Sequence, residues 1–293
     1  MKTFLDNLAR LHSSASTDIW ALRENAFPGV VGRADRFDGQ PGAALPKTST
    51  RGVVVTLPIF GVITQHVGDW FGDVAGEAVA QRLDALLADR MVAMVVLNID
   101  SPGGSVYGVT ELGDRIFAKR DRIIAVANSE AASAAYWLGS QAGKFYITPG
   151  GQVGSIGVWS SHVDVSRWED MQGVKTTLIY SGEHKVDGHP YAPLSDVARA
   201  DMQSKVDGYH RAFINAVARG RGRTTVDVRT GFGKGKMFRA DEAKRLGMVD
   251  GVATLDDVVR IAAGDGTLKG NFAVLGTRPK TRLAKIDFDL MTM

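Results

Sequence analysis

Between Gly52 and Ala263 the chain alternates continuous apolar runs with amphipathic ones, and no other feature restricts its fold as much. Val53-Val54-Val55-Thr56-Leu57 and Val92-Ala93-Met94-Val95-Val96-Leu97 are almost wholly apolar and bounded by turn residues. A strand with one wet face alternates apolar and polar residues. A strand covered on both faces does not, so these runs predict buried parallel strands. Between them Val79, Leu83, Leu86 and Leu87 recur at helical spacing, while Asp73, Glu77, Asp84 and Asp89 take other faces. A second helix is expected from about Val106, a strand over Ile123–Ala127 and a third helix from near Ala131. Further strands are expected at Phe145–Ile147, Gly157–Trp159 and Thr177–Ile179, a long helix at Asp196–Arg219, and closing helices at Asp241–Leu246 and Leu255–Ala262. Strands alternating with helices in this way predict an α/β domain over 51–263.

The flanks differ from this zone. Residues 1–50 mix short amphipathic pieces with Pro28-Gly29 and Gly39-Gln40-Pro41-Gly42, and are expected to be an extension that folds weakly or packs on a partner. Residues 264–293 turn polar, glycine-containing and then basic, as a flexible tail would. No apolar run is long enough to cross a bilayer, and charge interrupts Met1–Arg10 before a signal-peptide core can form. The expectation is a cytoplasmic protein without membrane contact. With no cysteine, disulfides, a thiolate nucleophile and thiolate metal sites are excluded. A net charge of +3 is too small to argue for nucleic acid, and Arg219, Arg221 and Arg223 read as a solvated helix end and loop. No metal and no cofactor is expected.

Three loops carry residues suited to chemistry. Asp100-Ser101-Pro102-Gly103-Gly104-Ser105 follows a buried strand and is expected to open a helix, and its paired glycines let backbone N–H groups approach a ligand. It is neither a dinucleotide fingerprint nor a phosphate loop, because the glycine spacing is wrong and no Gly-Lys-Ser/Thr follows; Gly233-Lys234-Gly235-Lys236 fails the same test. The second loop, Asn128 to Tyr136, sets Ser133 among alanines between a strand and a helix, which resembles the logic of a nucleophile elbow without its Gly-x-Ser-x-Gly sequence. A small N-capping serine is the plainer reading of Ser133 in isolation, and Ser129, just before Glu130, is the better candidate for that capping role. The third loop, Ser181 to Gly188, contains Lys185. A lysine becomes a general base only where burial or nearby positive charge lowers its pKa, so Glu183 and Asp187 must not pair with it. A Ser-His-Asp triad using His184, His162, His66 or His189 is also compatible with the spacing, since triad order varies between folds.

Taken together, these segments resemble the SppA-type serine peptidases, relatives of ClpP and the crotonases in fold. The resemblance spans Arg51 to Ala263. It rests on the Ser-Pro-Gly-Gly turn, Ser133-Ala134-Ala135-Tyr136, Gly154-Ser155-Ile156-Gly157-Val158 and the Ser-Gly-x-x-Lys-x-x-Gly loop, in that order. Leu178 to Tyr191 looks most like the tailed-phage capsid-assembly proteases of the lambda protein C type. The family fold is a ClpP/crotonase-like stacked β-β-α superhelix.

The resemblance implies a serine endopeptidase with Ser133 as nucleophile and Lys185 as base. Gly103 or Gly104 N–H with Ala134 N–H would form the oxyanion hole, and Ser181 would orient the lysine. Family members commonly carry glycines after the serine, whereas this chain has Ala134 and Ala135. The implied substrates are extended polypeptides, such as scaffold or portal proteins of an assembling prohead, and the implied assembly is a homo-oligomeric ring in which the lysine loop belongs to the same or a neighbouring subunit. The C-terminal tail would then be scaffold-related. Three alternatives stay open: a cytosolic degradative protease of the signal-peptide-peptidase type, a crotonase-type acyl-CoA enzyme, and a non-catalytic capsid-assembly protein on the same fold.

Overall fold

Three long neighbours, β3 (Gly52–Phe60), β6 (Val92–Ser101) and β8 (Ile123–Ala132), form the parallel centre of an eight-stranded sheet. The computed structural model describes residues 20–22, 47–49, 52–66 and 74–264. Asp73, the turns at Pro28-Gly29 and Gly39–Gly42, and the tail beyond residue 264 lie outside them. Before β3 come β1 (Trp20–Leu22) and β2 (Lys47–Ser49); after it come β4 (Ile63–Thr64), β5 (Val74–Ala75), β7 (Gly103–Ser105), β9 (Lys144–Ile147), β10 (Gln152–Gly154), β11 (Met237–Arg239) and β12 (Gly251–Val252). The helices are α1 (Gly76–Ala88), α2 (Val109–Ala118), α3 (Ala134–Ser140), α4 (Ser166–Gln172), α5 (Asp196–Arg221), α6 (Ala240–Arg245) and α7 (Leu255–Ala262), besides short single turns. A second, four-stranded sheet runs in the order β1-β7-β4-β5.

The uninterrupted apolar runs are explained by burial on two sides. Val95, Val96 and Leu97 are fully buried in succession. Val95 and Leu97 join the main core with Leu83, Leu112, Trp137 and Phe213, whereas Val96 faces a smaller core with Val54, Ile124, Val258 and Val259. Helix α7 therefore seals one face of the sheet while α1, α2, α3 and α5 cover the other, as parallel strands require.

Helix α3 lies wholly inside, with all seven residues buried. Trp137 stacks on Phe213 of α5 at 4.8 Å between ring centroids, and the Tyr136 hydroxyl donates to the Met248 carbonyl at 3.0 Å. Burial pushes the Tyr136 phenol well above its usual range. Gln141 Nε2 donates to the Ala216 carbonyl at 2.9 Å, and Gln141 Oε1 accepts from Arg219 Nη2 at 2.9 Å, so a buried amide is satisfied from α5. The α5 backbone passes so close that a Cβ on Gly220 would meet the Ser140 carbonyl at 2.2 Å.

Several expectations are corrected. Helix α2 starts at Val109 rather than Val106, and α3 at Ala134 rather than Ala131, because β8 continues to Ala132. The strand expected at Gly157–Trp159 lies earlier, at Gln152–Gly154, and pairs with β8 and β11. No strand forms at Thr177–Ile179. That apolar triplet finds no sheet edge among the described residues, and Ile179 is 97% exposed. The glycine segment Gly103–Ser105 is itself a strand, so it does not open a helix directly.

Near the C-terminal end of α5, Arg221 Nη1 meets Asp250 Oδ2 at 2.9 Å, and the same oxygen accepts from the Phe145 N–H at 2.8 Å. Burial pushes the Asp250 carboxyl up, but Arg221, the Phe145 N–H and Lys144 together outweigh it and hold the group below its usual range. A depressed carboxyl adds stability above the ordinary carboxylate pKa, and this is lost as pH falls through the lowered value. Asp250→Asn is therefore expected to lower the melting temperature near pH ~7, with a gap that narrows towards pH ~3; equal gaps at both pH values would refute the assignment. Trp137→Ala is expected to lower the unfolding free energy in urea by about 3–5 kcal/mol.

Candidate active site

The turn that carries Ser133 is set by an irregularity in the central sheet. On β6 Ile99 pairs with Ala127 and Ser101 with Ala131, so β8 spends more residues than β6 over the same stretch and bulges at Asn128–Glu130. Asp100 fastens this bulge, its carboxyl accepting hydrogen bonds from the Ser129 hydroxyl and the Glu130 N–H. Although Asp100 is partly exposed, desolvation raises its carboxyl above the usual range against these two hydrogen bonds. On the other edge of β8, β9 pairs with Ile124–Ala127 and β10 with Glu130–Ala132, so the bulge sits where one neighbour hands over to the next. Ser129 is thus a strand residue rather than a helix cap, with φ of 128°.

Directly after β8, Ser133 occupies the N-cap position of α3 with φ 54° and ψ −119°, and its side chain makes no capping bond. Its N–H donates to the Gly154 carbonyl at 2.8 Å, and its Oγ donates to the Gly157 carbonyl at 3.4 Å, a long contact for a hydroxyl. Among the described residues only Ser129, Ser133 and Ser155 combine a side chain with positive φ. All three border this turn: Ser129 lies in the middle of the bulge, and Ser155 follows the Gly154 that holds the Ser133 N–H. Such conformations cost on the order of 1–3 kcal/mol each and persist where surrounding structure enforces them. The plainer reading of Ser133 as a capping serine is therefore not met.

The expected oxyanion donors differ in their surroundings. Ala134 provides the first N–H of α3, which has no partner within the helix. The Gly103 N–H already donates to Ser101 Oγ at 3.2 Å. Gly104 packs against the β4 backbone, where a Cβ would meet the Ile63 carbonyl at 1.8 Å. Only glycine fits there. The methyl groups of Ala134 and Ala135 are buried in the core, where both alanines belong to the main apolar cluster.

Lys185 lies at the surface. It is exposed in a run of turns over Ser181–Gly188, its N–H donating to the Gly182 carbonyl at 3.1 Å. No ion pair engages its ammonium among the described residues, since Asp187 Oδ2 is taken by His184 Nδ1 at 2.9 Å. No hydrogen bond joins Lys185 to Ser133 or to Ser181 among those residues. The histidine alternatives are all engaged away from Ser133. His66 pairs with Glu77, His162 Nε2 meets the His189 carbonyl, and His189 Nδ1 accepts from the Tyr191 N–H. Among the described residues no cluster of His, Asp and Glu could hold a metal ion.

The family model for peptidase family S49 matches residues 115–269, which include Ser133 and Lys185. Over 243 residues the chain is 32% identical to the head-tail preconnector protein GP5 of Enterobacteria phage P21, covering 80% of this chain and 48% of that protein. It is 32% identical over 213 residues to the capsid assembly protease C of Escherichia phage lambda, covering 71% of this chain and 48% of that protein. The chain thus spans about half the length of these curated relatives. Among solved structures, a ClpP1 mutant from Listeria monocytogenes is similar over 70% of this chain and 94% of that one, at 17% identity and a TM-score of 0.44.

The strain at Ser133 can be measured. Glycine adopts positive φ without a Cβ penalty, whereas alanine keeps it. Ser133→Gly is expected to unfold about 1 kcal/mol less easily than Ser133→Ala in urea, after glycine's greater unfolded-chain entropy is deducted. Equal stabilities would mean that the turn is relaxed.

Proposed function

The chain belongs to peptidase family S49, and from that premise we propose that it is a serine endopeptidase that cuts extended polypeptides with Ser133 as nucleophile and Lys185 as general base. The observation that carries this reading is the Ser133 turn: a strained serine at a strand-to-helix junction whose hydroxyl is not spent on capping.

In the proposed reaction Lys185 takes the Ser133 proton as Oγ attacks the scissile carbonyl. The Ala134 N–H and a glycine N–H of β7 receive the negative charge that develops on oxygen. The lysine then returns the proton to the leaving amine, and water hydrolyses the acyl-enzyme.

A general base must be neutral to take a proton, and loss of surrounding water favours the neutral form of a lysine. The segment around Lys185 is also unusually apolar at its surface. Trp168, Met171, Ile179, Tyr180 and Val197 are all exposed there. Exposed apolar residues along one segment suit an interaction surface, and a second copy of this chain would meet that need: packing would dehydrate Lys185 and bring it beside a Ser133. This supports a homo-oligomer, drawn as a ring, with Ser181 orienting the lysine in the assembled state.

The similarity to a phage head-tail preconnector protein and a capsid assembly protease supports substrates from the prohead, namely scaffold or portal chains, and agrees with an enzyme that works in the host cytoplasm or inside that shell. Among the described residues no helix is long and apolar enough to cross a membrane.

Co-expression with neighbouring head proteins, read by intact mass, tests the dyad. Ser133→Ala and Lys185→Ala are each expected to reduce cleavage by roughly a thousandfold or more. Unchanged cleavage in the lysine variant would remove Lys185 and return the base to a histidine such as His184. Mixing the two inactive proteins tests sharing between subunits: where Ser133 and Lys185 of one site come from different copies, about a quarter of sites regain both groups. No recovery from co-assembled mixtures would place both groups in one subunit.

A further inference from the structure

The short strand Trp20–Leu22 lies antiparallel on Gly103–Ser105, with Leu22 opposite Gly103, Ala21 opposite Gly104 and Trp20 opposite Ser105. The other edge of Gly103–Ser105 is held by β4, where Ile63 pairs with Gly104. A three-residue strand has two edges, and both are taken. An extended polypeptide that reaches the glycine backbone must add itself as a strand, because main-chain pairing is the sequence-independent way to hold such a chain. The β4 edge cannot open cheaply, since Gly104 is seated against the Ile63 backbone too closely for even a methyl group. The opposite edge is held by β1, a three-residue strand that ends the sheet and, among the described residues, pairs with β7 alone, whereas β4 is tied to β5 as well. It is therefore the edge through which a substrate strand would enter, and the chain's own N-terminal segment lies in it.

We propose that Trp20–Leu22 is an autoinhibitory strand, a built-in occupant of the substrate edge that an incoming extended polypeptide must displace. The inference rests on the reading of Ser133 and the glycine strand as one catalytic site, and adds a regulation to it. A tethered competitor acts at an effective concentration in the millimolar range. Weak or short substrates are thus excluded, while a long unfolded segment with many pairing groups displaces the strand. Pairing of this kind depends on backbone N–H groups, so proline at paired positions releases it.

The test uses the full chain carrying Ser133→Ala, so that binding is read without cleavage. The probe is fluorescein-labelled, reduced and carboxymethylated α-lactalbumin, a polypeptide kept unfolded by modification, followed by fluorescence anisotropy. Adding Ala21→Pro with Leu22→Pro is expected to tighten probe binding about tenfold and to speed amide hydrogen exchange at Gly103–Ser105 in the absence of probe. A synthetic peptide spanning residues 17–25, added in trans, should weaken probe binding again and slow that exchange. Unchanged or weaker binding by a double variant with the circular dichroism of the parent overturns the proposal. Should the double variant fail to fold, the peptide is titrated into the parent protein with probe bound: displacement supports the strand, and no displacement overturns it. Cleavage that survives Ser133→Ala alongside tighter probe binding would sink the catalytic reading while leaving the occupied edge intact.

Discussion

The bulge at Asn128–Glu130 is the constraint on which the candidate site depends. A regular β8 would keep its register with β6 to the end and carry the chain past the sheet without a sharp turn. By holding more residues than β6 needs, β8 changes neighbours from β9 to β10 and delivers Ser133 to the mouth of a buried helix. Asp100 holds this excess through Ser129 and Glu130, so a carboxylate one residue before the Ser-Pro-Gly-Gly turn helps to shape the serine turn across the strand gap. The two motifs are thus joined by hydrogen bonds.

Strain at three serines requires an environment that does not yield. Helix α3 supplies it. The helix is enclosed on every side, with Trp137 against Phe213, Tyr136 bonded to the Met248 carbonyl and Gln141 bonded into α5. Close-packed interiors transmit distortion poorly into relaxation, because every neighbour is already in contact. A turn anchored at one end by the sheet and at the other by this helix can keep a conformation that an isolated peptide would leave. The same enclosure holds the first N–H of α3 beside the serine.

The segment around Lys185 obeys a different logic. Residues 163–197 leave large apolar side chains in water, whereas the β6 side chains Val95, Val96 and Leu97 leave almost none. Water penalises the first arrangement, so this segment is the part of the molecule whose environment a partner would change most. Site assembly and subunit assembly then become a single event in the proposed enzyme, and the N-terminal strand on Gly103–Ser105 adds a second check at the substrate edge.

The strands at Val53–Leu57, Val92–Leu97 and Ile123–Ala127, the long helix from Asp196 and the closing helix Leu255–Ala262 were legible in the sequence, because burial on both faces or on one helical stripe leaves a periodic trace. So was the order of the Gly103-Gly104, Ser133 and Lys185 segments, since it is a property of the chain itself. Thr177–Ile179 misled because a short strand-like run reads the same whether or not the fold offers it a sheet edge. Gly103–Ser105 was read as a helix-opening turn because glycine leaves no periodic signal, and Ser129 as a cap because a bulge depends on residues far along the chain. Pattern along the chain therefore determined which elements form and in what order the chemical groups follow. Only tertiary structure decided their use: it bent β8, strained Ser133, left Lys185 in water and laid Trp20–Leu22 on the glycine strand, since each outcome arises from contacts between segments that local sequence does not encode.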